Sequence, residues 1–192
     1  MQELKDRIVK EGKVLPGNII KVDGFLNHRI DTELMDHIAE EFGKHFNMDE
    51  VTMILTAEAS GIALSAVVAH HFHKPMIFAK KAKSDNIEGG LYQSDIFSYT
   101  YKKKVTLLVS KEWLSSDDRV LIVDDFMANG EAMRGLCDIV EAAGATLVGI
   151  GCAVEKGFQG GGDRLRAAGV NLHSLAIIES AEPGNIVFRD EI

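Results

Sequence analysis

Apolar and polar residues alternate in blocks along the chain, and the blocks predict strands and helices in regular succession. Val120–Val123 are all apolar and predict a strand, Val120–Asp124, buried on both faces. A stripe of apolar residues at helical spacing follows over Gly130–Ala143. Elsewhere the same succession predicts strands at Thr52–Thr56, Met76–Lys80, Thr146–Val154 and Leu172–Ile178, and helices at Gly61–Phe72 and Gly161–Ala168. This order predicts an α/β fold with a mostly parallel, twisted sheet flanked by helices.

The start and the middle of the chain follow other patterns. Met1–Glu11 predicts a helix with Leu4, Ile8 and Val9 on one face, and Asp31 is placed to cap a helix that runs to about Phe46. Asp23-Gly24, between Asn18–Val22 and Phe25–Leu26, is a typical hairpin turn. Ser84–Lys111 predicts two strands and a mobile loop. No repeat or linker divides the sequence, so we expect a single domain over residues 1–192.

Composition and charge narrow the classes of function. The chain has 192 residues, which suits one domain with a sizeable core, and no apolar run is long enough to cross a membrane. Its two cysteines, Cys137 and Cys152, fall in predicted elements, which favours reduced core thiols in a cytoplasmic protein. A net charge of −8 argues against nucleic-acid binding. A small polyanionic substrate remains compatible, because Lys80, Lys81, Lys83 and Lys102–Lys104 are clustered.

Two acidic residues, Asp124 and Asp125, come at the end of the predicted strand Val120–Asp124. A short turn, Phe126–Gly130, then leads into a helix. Ligands of open α/β sheets bind beyond the carboxyl ends of strands, where backbone amides at a helix N-terminus are free to donate. Carboxylates would accept from ribose hydroxyls and the amides would donate to a phosphate, so the segment favours a phosphorylated ribose. A solvated loop is the alternative that these residues leave open. The sequence contains neither GxxxxGK[ST] nor a GxGxxG turn.

A second turn of small residues, Thr56–Gly61, also joins a predicted strand to a helix. Its amides could hold another anion. Taken alone the segment is better explained as a tight βα turn without a ligand, but two such turns on one sheet favour the anion site. Lys80-Lys81 ends the next predicted strand, where a lysine could neutralise a departing anion or simply be solvated. The cluster His70-His71-Phe72-His73 lacks a suitably spaced carboxylate or cysteine, so we expect no metal there.

The segment VLIVDDFMANGEA, Val120–Ala132, resembles the phosphoribosyl pyrophosphate motif of type I phosphoribosyltransferases. Most members have Thr-Gly-Gly or a similar sequence in the loop, and Ala128-Asn129-Gly130 in its place resembles the bacterial xanthine subgroup. The resemblance implies the type I fold, with a hood lobe from about residues 1–30 and 155–192 and a flexible loop at about 84–111. It further implies transfer of the 5-phosphoribosyl group to xanthine, Mg²⁺ carried by phosphoribosyl pyrophosphate, and a homodimer.

The same resemblance implies roles for individual residues. Asp124 and Asp125 would bind the ribose hydroxyls, and Lys81 would act on the departing pyrophosphate. The 5-phosphate would lie on Ala128, Asn129, Gly130, Glu131 and Ala132, the pyrophosphate on Glu58, Ala59, Ser60 and Gly61, and the base against Ile20, Asn27, Lys156 and Phe158. One lysine of 102–104 would also reach pyrophosphate.

Hydrogen-bonding chemistry favours xanthine as the base. Xanthine has an oxygen acceptor at its 2-position, whereas guanine has an amino donor there. Lys156 has only donors and Asn27 can offer its NH₂ group, so both suit xanthine. A hypoxanthine–guanine enzyme and a non-catalytic sensor of phosphoribosyl pyrophosphate are the alternatives. The sensor is less consistent, because the sequence offers no basic recognition helix of the kind that binds DNA.

Overall fold

A six-stranded sheet forms the centre of the computed structural model, which describes residues 1–81, 90–98 and 103–189. The strands are β1 (Lys13–Leu15), β2 (Ile19–Lys21), β3 (Met53–Ala57), β4 (Met76–Ala79), β5 (Leu91–Ser98), β6 (Lys103–Ser110), β7 (Arg119–Met127), β8 (Thr146–Lys156), β9 (Leu172–Glu182) and β10 (Asn185–Phe188). The helices are α1 (Gln2–Glu11), α2 (Thr32–His45), α3 (Gly61–His71), α4 (Glu131–Ala142) and α5 (Gly161–Ala167).

The central sheet has the strand order β10-β9-β8-β7-β3-β4. All neighbours are parallel except β9 and β10, which pair antiparallel. The prediction of a mostly parallel sheet is therefore confirmed. Parallel order brings the carboxyl ends of β3, β4, β7 and β8 to one edge, which is where the candidate residues lie.

Helices cover both faces of the sheet, as the continuous apolar run of β7 predicts. Leu121 and Val123 join a hydrophobic cluster with α2 and α3, whereas Val120 and Ile122 join a second cluster with α4. The alternation of side chains along a strand separates the two clusters. Asp31 caps α2 as expected, with its carboxylate accepting from the Leu34 amide at 3.2 Å. No helix among residues 1–81, 90–98 and 103–189 is long and apolar enough to span a membrane.

The predicted hairpin turn at Asp23-Gly24 is wrong. The hairpin lies earlier, between β1 and β2, and turns at Gly17 and Asn18, which have φ of 84° and 57°. Residues Asp23–Asn27 instead form a π-helical turn. Phe25 and Leu26 are both buried. In a strand, two adjacent side chains would point to opposite faces, whereas the helical turn lets both enter the core.

Other differences concern ends and edges. Strand β7 continues to Met127, so Asp124 and Asp125 lie within the strand and not after it. Asp124, Phe126 and Met127 still pair with β8, which explains the extension. Strand β10 is an antiparallel addition that the sequence patterns did not predict. Val9, expected on the inner face of α1, is 63% exposed.

The middle segment forms an antiparallel hairpin of β5 and β6, in agreement with the two predicted strands. The hairpin packs on α4 at Gly135, where a Cβ atom would lie 2.5 Å from Cγ2 of Ile96. The Arg134 guanidinium also donates to the carbonyl of Asp95 at 2.8 Å. The rest of the expected mobile loop, residues 84–89 and 99–102, lies outside the described residues.

Candidate active site

A cavity of about 240 Å³ opens at the carboxyl edge of the sheet, between α3, α4 and the β5–β6 hairpin. Its walls come from three turns that follow parallel strands and from the hairpin. The residues that line it include Glu58, Ser60, Lys81, Asp124, Phe126, Ala128, Asn129, Gly130, Glu131, Ala132, Ile96 and Phe97. Nine of the residues expected to bind substrate therefore line this cavity.

Of the two adjacent aspartates, Asp124 is the one that lines this cavity. It is 7% exposed, and its Oδ1 accepts from the Asp125 amide at 3.0 Å. Burial, followed by the adjacent charge of Asp125, raises the pKa of Asp124 well above its usual range, while Lys81 opposes the shift. A buried carboxyl group in this state can hold or release a proton, and it gains from a cation or a hydroxyl donor in the cavity.

Asp125 lies deeper and has a different neighbour. It is 1% exposed, and its Oδ2 accepts from Nδ2 of Asn27 at 2.9 Å. Its second oxygen, Oδ1, is buried and has no hydrogen-bond partner among residues 1–81, 90–98 and 103–189. Asp125 therefore joins the central strand to the N-terminal π-helical turn and keeps one acceptor free.

The loop from Ala128 to Ala132 ends in the first turn of α4. Gly130 has a φ of 76°, a left-handed conformation that glycine adopts at little cost, and it caps the helix. Helix α5 supports this loop from behind. A Cβ atom on Gly161 would lie 2.5 Å from the Ala128 carbonyl oxygen, and Arg164 donates to the Asn129 carbonyl at 2.9 Å. The loop is thus held in a conformation that presents the N-terminus of α4 to the cavity.

The turn between β3 and α3 faces the same cavity. The peptide bond between Glu58 and Ala59 is cis, and α3 begins at Gly61 directly beside Asp124. Glu58 accepts from the Lys81 backbone amide at 2.5 Å, which ties the turn to the end of β4. Two helix N-termini and Lys81 therefore surround the carboxylate of Asp124, which is an arrangement suited to a sugar carrying two separate anionic groups.

The two neighbouring lysines separate to different surfaces. Lys81 is exposed and lines the cavity of Asp124. The backbone of Lys80 pairs with Leu108 of β6, and its side chain lines another groove, beside Phe78 and Trp113. Lys103 and Lys104 begin β6, whereas Lys102 lies outside the described residues.

None of the four residues expected at the base is among the described residues that line this cavity. Lys156 ends β8, where its Nζ donates to the Asn18 carbonyl at 2.9 Å and lies 5.5 Å from the centroid of the Phe126 ring. Burial lowers the pKa of Lys156. Ile20 is 7% exposed within the first hydrophobic cluster, and Phe158 packs against the same cluster. The aromatic residues that line the cavity are Phe126 of β7 and Phe97 of β5.

Comparison with known proteins agrees with this geometry. The profile of the phosphoribosyl transferase domain matches residues 25–166. The chain belongs to the phosphoribosyl transferase family. Within it, the xanthine phosphoribosyltransferase of Bifidobacterium animalis subsp. lactis is 53% identical over 98% of this chain and 100% of its own length. That of Lachnoclostridium phytofermentans is 52% identical and covers 100% of both chains. The resemblance to the xanthine subgroup is therefore confirmed.

Solved structures support the family's fold. The adenine phosphoribosyltransferase of Giardia lamblia, complexed with 9-deazaadenine, superposes with a TM-score of 0.76 at 22% identity, over 90% of this chain and 96% of that one. The enzyme of Rhodothermus marinus has a TM-score of 0.73 at 22% identity, over 91% and 98%. At this identity the likeness concerns the type I phosphoribosyltransferase fold alone.

Three residues at this family site were not singled out from the sequence. Phe126 lies within the motif, but the predicted strand ended at Asp124, so the sequence did not indicate that Phe126 lines the cavity. Gly161 and Arg164 of α5 contact the backbone of the loop at residues 128–130, and the bond from Arg164 to Asn129 spans 35 residues of sequence. The run Gly160-Gly161-Gly162 was the available signal, because consecutive glycines often mark a close approach of two backbones.

Proposed function

We propose that this protein transfers the 5-phosphoribosyl group of phosphoribosyl pyrophosphate to xanthine, giving xanthosine 5'-monophosphate and pyrophosphate. The observation that carries the proposal is the shared cavity, in which the α3 turn, the α4 loop and Lys81 surround Asp124. The relatives at 52–53% identity are named for the same reaction, which supports xanthine as the base. Purine salvage is the corresponding class of metabolism.

The proposed roles follow the geometry of the cavity. Amides of residues 128–132 bind the 5-phosphate at the start of α4, and Glu58, Ala59, Ser60 and Gly61 form the pyrophosphate turn. Asp124 accepts from a ribose hydroxyl, and the unpaired Oδ1 of Asp125 offers a second acceptor. Catalysis then rests on holding the sugar in place between these groups.

Electrostatics supply the rest of the mechanism. As the bond between the anomeric carbon and pyrophosphate lengthens, positive charge grows on the sugar and negative charge on the leaving group. Asp124 and Asp125 stabilise the former, and Lys81, which lines the same cavity as Asp124, stabilises the latter. The β5–β6 hairpin, through Ile96 and Phe97, helps to exclude water that would otherwise hydrolyse the sugar.

Mg²⁺ fits this site as a companion of the substrate. Among the described residues there is no group of three or more His, Cys, Asp or Glu side chains that could hold a metal. Mg²⁺ needs few protein ligands when phosphate oxygens and water complete its coordination shell. Asp124, which lines the cavity, would be a carboxylate ligand for it. When bound, the ion would neutralise charge on the diphosphate.

The wider assignment is also part of the proposal. Residues at the two chain ends, about 1–30 and 155–192, form a hood that brings Asn27 and Lys156 over the base. Ile20 and Phe158 pack inside this hood. The protein acts in the cytoplasm as a homodimer on small molecules, without nucleic acid or membrane. Support for the hood comes from Lys156, which bonds to Asn18 across 138 residues of sequence.

Rates with three bases test the function. Purified protein is incubated with phosphoribosyl pyrophosphate, Mg²⁺ and either xanthine, guanine or hypoxanthine, and nucleotide formation is followed by absorbance. We expect the highest kcat/KM with xanthine. A clear preference for guanine would identify a hypoxanthine–guanine enzyme, and binding of phosphoribosyl pyrophosphate without turnover of any base would identify a sensor.

A further inference from the structure

The hydrogen bond between Asn27 and Asp125 connects two parts of the site that the proposed function treats separately. Asn27 ends the π-helical turn, and Asp125 lies in the central strand next to the cavity carboxylate Asp124. Nδ2 of Asn27 donates to Oδ2 of Asp125 at 2.9 Å across 98 residues of sequence. The bond is largely screened from water, since Asp125 is 1% exposed and Asn27 is partly buried.

A carboxylate determines which way the amide of Asn27 must face. An ionised carboxylate only accepts hydrogen bonds, so the nitrogen of the amide has to point toward it. The flipped amide would bring its oxygen against that of Asp125, and two buried acceptors would lie in contact without a proton between them. One N–H and the carbonyl oxygen of Asn27 then remain for another partner.

The backbone around Asn27 makes this orientation effective. Phe25 and Leu26 are 1% and 0% exposed, and the Leu26 amide donates to the Val22 carbonyl at 3.0 Å. The Arg29 amide returns to the Asp23 carbonyl at 2.9 Å. The backbone of Asn27 is therefore held in place by the turn. The hydrogen bond to Asp125 restricts what remains free, which is the rotation of the Asn27 side chain.

We propose that Asp125 is a positioning residue for base selection, which acts by fixing the amide of Asn27 through Oδ2. This inference rests on the proposed function, in which Asn27 contacts the base. An Asn whose amide can flip presents donor and acceptor interchangeably and discriminates poorly between a 2-oxo and a 2-amino group. An Asn that is fixed by Asp125 discriminates between them, because a mismatched partner is left unpaired.

The test is the ratio of kcat/KM for xanthine to that for guanine, measured with saturating phosphoribosyl pyrophosphate. Any effect of Asp125 on ribose or on the leaving group is common to both bases and cancels in the ratio. Asp125→Ala removes the acceptor, and we expect the ratio to fall about tenfold. Asp125→Asn keeps an oxygen that can accept from Asn27, and we expect a ratio within about threefold of the unchanged protein.

The same substitutions are repeated with Asn27→Ala. We expect that Asp125→Ala no longer changes the ratio there, because its effect passes through Asn27. Asp23→Ala is the matched control, since Asp23 lies in the same turn but pairs with Lys21 at 2.9 Å on the surface. If Asp125→Ala fails to fold, Asp125→Val removes the acceptor without leaving a cavity in the strand and carries the same prediction.

The outcomes separate the inference from the function. Turnover with a ratio that Asp125→Ala leaves unchanged, or changes equally without Asn27, overturns the positioning role only. Absence of turnover with every base in the unchanged protein overturns the proposed function and this inference together. A tenfold fall in the ratio that depends on Asn27, and that Asp125→Asn largely avoids, supports the positioning role.

Discussion

Gly161 offers the sharpest test of the proposal that residues 128–132 bind the 5-phosphate, because it contacts their loop without being among the residues that line the cavity. A Cβ atom at this position would lie 2.5 Å from the Ala128 oxygen, 2.6 Å from the Asn129 carbonyl carbon and 2.7 Å from the Gly130 nitrogen. All three are backbone atoms, so no flexible side chain can yield. Since a real Cβ needs at least 3.0 Å, Gly161→Ala requires a displacement of about 0.5 Å.

The loop is expected to move more readily than α5. Arg166 of α5 donates to the fully buried Glu155 at 2.6 Å and 3.1 Å, and Gly162 packs directly on the same carboxylate. A displacement of 1 Å in a substrate-positioning group can cost about a hundredfold in rate. For about half that displacement we expect KM for phosphoribosyl pyrophosphate to rise about tenfold, equivalent to about 1.4 kcal/mol.

The assay is initial rate against phosphoribosyl pyrophosphate at saturating xanthine, with thermal unfolding measured on the same preparations. Gly24→Ala is the control, because no atom in the described part of the chain lies within 4 Å of its added Cβ. Arg164→Gln weakens the support without inserting an atom, and a smaller rise in KM is expected. A folded Gly161→Ala protein with an unchanged KM would refute the assignment of this loop to the 5-phosphate.

Three further predictions follow from charged groups. Lys81→Gln should lower kcat/KM for phosphoribosyl pyrophosphate about a hundredfold in steady-state assays, whereas Lys80→Gln, on the other groove, should change it little; equal losses would contradict the separation of the two lysines. Asp124→Asn should abolish most activity yet stabilise the fold at neutral pH, by about 1.4 kcal/mol for each unit by which the folded pKa is raised. Burial disfavours the ionised form of Asp124, so this gain in stability should be absent below the ordinary pKa near 3.8 and grow as pH rises. Urea unfolding at pH 3.5 and pH 7.5 measures the gain. A larger gain at pH 3.5 would contradict a raised pKa. Arg166→Ala should lower the free energy of unfolding by about 3 kcal/mol, because the buried Glu155 carboxylate would lose its cationic partner. Adding Glu155→Gln should restore part of this free energy. If urea unfolding shows no recovery, the buried charge is not the cause of the loss.

Much of the fold follows from patterns that are local in sequence. The apolar run Val120–Val123 and the helical stripe after Gly130 predicted β7 and α4 to within a few residues, and the alternation of strands and helices predicted a parallel sheet. Parallel strands in turn place their carboxyl ends together. The grouping of the α3 turn, the α4 loop and Lys81 could therefore be expected from sequence order and resemblance, before any contact was known.

Local patterns failed where a second segment of chain sets the outcome. Asp23-Gly24 has the composition of a hairpin turn, but burial of Phe25 and Leu26 in the core outweighs that preference. Strand β7 extends through Asp124 and Asp125 because β8 continues to pair with it. Neither effect is visible in a short window of sequence.

Patterns along the chain were enough to predict the mostly parallel sheet, its flanking helices and the types of residue at its carboxyl edge. The separate positions of these residues depend on the folded chain: Asp124 lines the cavity, Asp125 accepts from Asn27, and Gly161 packs against the loop at residues 128–130. Periodicity and turn preferences act between residues a few positions apart in sequence. The contacts of Asp125 with Asn27 and of Gly161 with the loop join segments that lie dozens of residues apart, so they form only when the chain packs.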